Sequence, residues 1–218
     1  TVAVSDTTVS IADLNDAIAQ ANTATGGTTT VFSVASGATI TTGDEAAFST
    51  LLTNESNGNI AITDQNLTVS SGTISVDNAN LLNATTTGTV TAAIDLTEDV
   101  DELATLSGTG AYTIVIASGD ATGSTAAEFN TINSATTVAI DASEVTALAS
   151  SNLSDVKTLL TAANDTDQFT DSTGKVSFGG LTAVAIADAT VDVSDFNDAV
   201  TQANTATGKT TAANGGGA

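Results

Sequence analysis

The chain contains no His, Cys, Arg, Met, Trp or Pro. Their absence removes imidazole general-base chemistry, thiolate nucleophiles, disulfides, Cys/His zinc sites and arginine clamps on phosphate. Basic charge is almost as scarce: Lys157, Lys175 and Lys209 stand singly against 25 acidic residues in 218, a net charge of −22. Nucleic acid is not expected as a partner, because phosphate binding rests on clustered Lys and Arg. The same repulsion disfavours an anionic membrane surface. The longest apolar runs, such as Tyr112–Ala117 and Leu181–Ala187, fall far short of the roughly 20 residues a membrane-spanning helix needs, so no membrane insertion is expected. Aromatic residues are limited to six Phe and one Tyr. Two carboxylates can run glycoside hydrolysis, but sugar sites also use aromatic platforms, and the chain is not expected to be an enzyme. Gly108-Thr109-Gly110 lacks the third glycine of a dinucleotide fingerprint and reads as a turn.

About a fifth of the residues are Thr, with Ala, Ser, Asn and Asp making up much of the rest. This composition suits an exported bacterial protein, and its acidity equally suits solubility in high salt. A chain that opens on Thr1 and holds no Met is expected to be a piece of a longer product. Asn54, Asn66, Asn83, Asn152 and Asn164 begin N-x-S/T sequons, which a Thr-rich chain generates cheaply. High charge with few aromatics leans toward disorder. Against that, apolar residues recur with strand and helix periods along the chain, which predicts a folded module with a thin aliphatic core.

The strongest internal signal is a duplication. Residues 2–27 align without gaps to 184–209, identical at 16 of 26 positions at an offset of 182. Each copy reads as a short strand and then a helix. In the first, Val2 and Val4 alternate, Ser10 caps, and Ile11, Leu14 and Ile18 share a helical face. In the second, Val184 and Ile186 alternate, Asp192 caps, and Val193, Phe196 and Val200 form the face. Gly26 and Gly208 close the two helices.

Between the copies the same alternation predicts helices over residues 44–53, 78–85, 98–106 and 153–163, with a helical turn at 145–148. A T-x-x-E capping box at Thr125 and Glu128 starts another helix. Strands are expected at 28–35, 59–63, 89–94, 112–117, 137–141, 175–178 and 182–187, with two further short ones within 67–76. Short strands alternating with short helices predict an α/β fold with a largely parallel sheet, stacked in a solenoid-like, repetitive way. A β-rich sandwich, or a β-solenoid with surface helices, is the competing architecture. Residues 1–211 read as one elongated module, with 212–218 as a flexible linker or inter-module joint.

An acidic residue, then Leu or Phe, then Asn, occurs at Asp13-Leu14-Asn15, Glu128-Phe129-Asn130 and Asp195-Phe196-Asn197. With the Thr/Ala/Asp-rich alternation and the strand Val138-Ala139-Ile140-Asp141, this resembles the repeat regions of giant secreted bacterial surface proteins, of the kind found in marine cyanobacteria. The resemblance implies an extracellular or cell-surface structural or adhesive role after type 1 secretion. Independently, a stack beginning and ending in the same unit can present matching ends to copies of itself. The expected function is a structural repeat module of a filament, sheath or giant surface protein, joined head to tail through Val2, Val4, Ile11, Leu14, Ile18, Val184, Ile186, Val193, Phe196 and Val200. The runner-up is a calcium-stiffened spacer of a secreted adhesin. Oxygen ligands suit Ca²⁺, and Asp165, Asp167 and Asp171 are the candidate set, read against a solvated acidic loop.

Overall fold

The computed structural model describes residues 1–24, 30–117, 119, 123–164, 169–170, 178 and 181–206. It is an α/β protein in which every strand pair with a recorded register runs parallel. Parallel neighbours need a crossover, and the helices between strands provide it. The antiparallel pairing of a sandwich is not what these strands adopt.

The chain divides into two compact units, 1–95 with 106–112, and 96–105 with 113–218. In the first, β1 (Val2–Val4) and β2 (Thr8–Ser10) lead into α1 (Ile11–Ala24), then β3 (Phe32–Val34) and β4 (Thr39–Gly43) into α2 (Glu45–Ser56). β5 (Ile60–Ala61) and β6 (Asn66–Val69) precede α3 (Val76–Thr85), and β7 (Val90–Ala93) and β8 (Ala111–Thr113) follow. One sheet has the order β1-β3-β5 and another β2-β4-β6-β7-β8, so each new stretch of chain adds beside its predecessor. Ile11, Phe32, Ile40, Phe48, Leu67, Ile74, Leu82 and Tyr112 are buried at the centre.

The second unit contains α4 (Val100–Leu103), α5 (Ala126–Ala135), β9 (Ile140–Asp141), β10 (Ala147–Ser151), α6 (Leu153–Ala163), β11 (Phe169–Thr170), β12 (Ala183–Ile186) and α7 (Val193–Ala206). β9 pairs with β11 and β10 with β12. Its core gathers Val100, Leu103, Phe129, Ile132, Ile140, Val156, Leu160 and Phe178. The predicted strand at 175–178 lies, except for Phe178, outside the described residues, as do Gly26, Gly208 and the tail 212–218.

Helix starts follow the local chemistry. The Asp44 carboxylate accepts from Ala47 N at 3.0 Å, and Ser75 Oγ accepts from Asn78 N at 3.3 Å. Capping boxes form at Asp99/Glu102 and, as the sequence predicts, at Thr125/Glu128. Two helices end on threonine rather than glycine. Thr86 and Thr136 are extended, buried C-caps whose hydroxyls accept from Gly88 N and Val138 N. The Thr86 hydroxyl also donates to Gln65 O at 2.6 Å, tying the turn to the preceding stretch.

Residues 145–148, expected as a helical turn, instead lead into strand β10. Ala and Leu favour helix, but four residues are too few to sustain one, and the ladder with β12 overrides that preference.

Glu45, at the start of α2, links it to the next helix by accepting from Ser75 N, Ser75 Oγ and Asn78 Nδ2 at 3.0, 2.9 and 2.7 Å. These donors, the Ser75 backbone first, hold its carboxyl below the usual range. A lowered native pKa contributes stability above the unfolded value and loses it as acid protonates the native carboxylate. Glu45→Gln is therefore expected to cost about 1 kcal/mol at neutral pH, and the cost should vanish in strong acid. Urea titrations across pH check this.

Candidate assembly interface

The two copies of the duplicated unit occupy different surroundings. In the first, Ser10 Oγ accepts from Asp13 N at 3.4 Å and opens α1. Ile11, Leu14 and Ile18 are 0, 3 and 1 % exposed. They lie in the core of their own unit, where α2 packs on α1. The approach is close: a Cβ on Gly43 would stand 2.3 Å from Ile11 Cγ2. These three residues, expected at an assembly surface, are therefore corrected to core positions. Val2 is exposed and Val4 half-buried on β1, an edge strand.

In the second copy, Asp192 caps α7 by accepting from Ser194 N at 2.8 Å. The helix rests on α6 through a set of polar contacts. Asp188 accepts from Leu153 N at 2.6 Å, and Asp195 pairs with Lys157 at 2.6 Å. The Thr161 hydroxyl meets the Gln202 side chain at 3.4 Å, and Asn164 Nδ2 donates to Gln202 O at 3.3 Å. Ala199, four residues after Asp195 and three before Gln202, is buried. The Asp195 hydrogen bond raises the Lys157 pKa, with Asp198 and Asp192 adding attraction. Val184, Ile186 and Val200 are half-buried. Val193 and Phe196, counterparts of Ile11 and Leu14, are 73 and 43 % exposed.

The asparagine of the acidic-Leu/Phe-Asn motif has a structural role that the sequence alone did not assign. Asn15 Nδ2 donates to Ala47 O at 3.1 Å, and Asn130 Nδ2 donates to Asp155 O at 3.0 Å. Ala47 and Asp155 are each the third residue of the following helix, α2 and α6. The amide thus fixes how one helix sits on the next. Asn54 adds a donor to Asn15 Oδ1 at 3.2 Å, whereas Ala162 holds the matching place on α6 and the buried Asn130 Oδ1 has no hydrogen-bond partner. Asn197, the third instance, is exposed on α7. The recurrence of Asn at one helix position was the available signal.

Asp165, Asp167 and Asp171 lie outside the described residues. Among the described residues no group of three or more carboxylates is arranged to hold a metal ion. In the acidic run at 95–102, Asp99 and Glu102 cap α4, while Asp101 meets the Glu128 carboxyl and its pKa is raised by that contact. An open cleft between α6 and the β12–α7 connection is lined by Lys157 with Asp188, Asp192 and Asp195, an arrangement suited to pairing charge. Among the described residues no helix is long and apolar enough to cross a membrane. Comparison with protein-family models, curated proteins and solved structures finds no match.

Proposed function

We propose that this chain is a non-enzymatic structural repeat module of an extracellular filament, sheath or giant cell-surface protein. Its short strands and helices would stack in solenoid fashion, and copies would join head to tail through the related units near the chain termini. The carrying observation is one helix face in three settings. The first, fourth and eighth helical positions are buried in α1 as Ile11, Leu14 and Ile18, and in α6 as Leu153, Val156 and Leu160. In α7 the same positions are Val193 and Phe196, exposed, and Val200, half-buried. A stack whose last face is apolar and carries the inter-helix asparagine is built for continuation rather than for a polar cap. The surface-protein texture of the sequence and the scarcity of cationic cleavage sites agree with an exterior location.

Negative-stain electron microscopy and light scattering on the purified chain, with calcium and with chelator, test this reading. Concentration-dependent linear assemblies are expected in both conditions. Phe196→Asp, on an exposed site, should weaken assembly at least tenfold while leaving the melting temperature within about a degree. A wild-type chain that stays monomeric at all concentrations rejects the module reading, and one that gains stability only with calcium favours the adhesin spacer instead.

A further inference from the structure

The internal joint between α6 and α7 is a template for a joint between molecules. Counting from the first residue of each helix, Leu153, Lys157 and Thr161 of α6 and its C-cap Asn164 fall at the same positions as Val193, Asn197, Thr201 and Asn204 of α7. Three of these four pairs are the same or similar in kind. The threonines even behave alike, Thr161 Oγ1 donating to Lys157 O at 2.8 Å and Thr201 Oγ1 to Asn197 O at 2.9 Å. Thr201 replaces the Ala19 of the first copy, so α7 departs from its duplicate in the direction of α6. The outer side of α7 therefore repeats the seat on which α7 itself rests.

What α7 brings to that seat is also present a second time. Asp188 of the β12–α7 connection and Asp195 and Gln202 of α7 contact α6, and Ala199 is buried on the helix face that Asp195 and Gln202 share. Their counterparts in the first copy are Asp6, Asp13, Ala17 and Gln20, identical in all four cases. In contrast, the first, fourth and eighth helical positions, apolar in both copies, differ in every case. In the first copy Asp6, Asp13 and Gln20 are exposed and Ala17 half-buried. Among the described residues, one molecule thus presents an occupied seat, a repeated seat left open and a second set of the contacting residues that fits it.

The geometry points to a specific occupant for the exposed face of α7: helix α1 of a second copy of this chain, seated on α7 as α7 is seated on α6. This rests on the head-to-tail reading above and names its contacts. Val193 N donates to Asp6 of the second copy, as Leu153 N does to Asp188. Asn197 Nδ2 donates to the Asp13 carboxylate in the place of the Lys157 ion pair. Thr201 and Asn204 meet Gln20, and Ala17 takes the place on the contact face that the buried Ala199 holds in α7. Strands β1 and β12 both lie at sheet edges, so neither is closed off by a recorded neighbour on its outer side.

The decisive variant gains rather than loses. Asn197→Lys restores the Lys157 arrangement at the outer seat, on an exposed residue whose change leaves the fold alone. Sedimentation velocity on chains spanning residues 1–218 at low ionic strength should show self-association tightened about fivefold, with the gain lost in about 0.5 M salt. Adding Asp13→Lys to Asn197→Lys should weaken association at least tenfold relative to Asn197→Lys alone. Nonspecific relief of the −22 charge predicts the reverse order, because the double variant is the less acidic. If the wild type assembles but Asn197→Lys changes nothing, or Asp13→Lys does not undo its gain, the seat is wrong and the head-to-tail reading survives. If no variant associates at any concentration, both fall.

Discussion

Phe129→Ala is expected to destabilise the second unit by about 3–5 kcal/mol, the largest effect of any single change considered. Phe129 is completely buried and meets Phe178 edge to face, with ring centroids 5.7 Å apart and planes at 82°. Truncation removes the transfer free energy of the ring, opens a cavity in a thin aliphatic core and breaks the aromatic pair. The chain supplies few large side chains to refill the space, since its aromatics number seven. Denaturant unfolding followed by circular dichroism should show the midpoint fall sharply with the slope unchanged. A loss below about 1 kcal/mol would mean that Phe129 is not the anchor that its burial implies.

Gly88→Ala should be nearly as damaging in the first unit, at about 3 kcal/mol. A Cβ at this position would stand 2.4 Å from Gln65 O and 2.8 Å from Asp64 O, and main chain cannot swing aside as a long side chain can. The contact is close because the Thr86 hydroxyl pulls the two turns together, donating to Gln65 O and accepting from Gly88 N. Gln65 is itself buried, its amide donating to Val34 O and Ala35 O at 3.1 and 3.2 Å. Displacing Gly88 therefore strains several buried hydrogen bonds at once. Gly58→Ala provides the comparison: φ is +71° and no atom lies within 4 Å of the added methyl. It should cost only the conformational penalty, about 1 kcal/mol.

Helix faces and caps were legible in the sequence because both are local. Val100, Leu103 and Leu106 are buried as their spacing predicts, and the Thr125/Glu128 box forms between residues three apart. Strand β2 was not legible, because Val9 is its one apolar residue and has none two places away within the strand to alternate with. It is a strand by virtue of pairing Thr8–Ser10 with Thr39–Thr41. Coverage was equally invisible: Leu14 and Phe196 carry the same pattern, but among the described residues only the first has a following helix packed on its own. The partner of Lys157 lies 38 residues away, beyond the reach of spacing arguments. The role of Asn15 and Asn130 was hidden for a different reason, since their acceptors are main-chain carbonyls and any residue provides one.

That last feature bears on how such a protein can change over generations. A helix joint read through a main-chain carbonyl does not depend on which residue supplies that carbonyl, so the two helices need not change together. The Asn15 amide reaches Ala47 and the Asn130 amide reaches Asp155 with bonds of nearly the same length, although one neighbour is a methyl and the other a carboxylate. Substitution at either acceptor position would leave the bond as it is, so a helix on one side of such a joint is free to vary in its side chains while the packing of the pair stays the same.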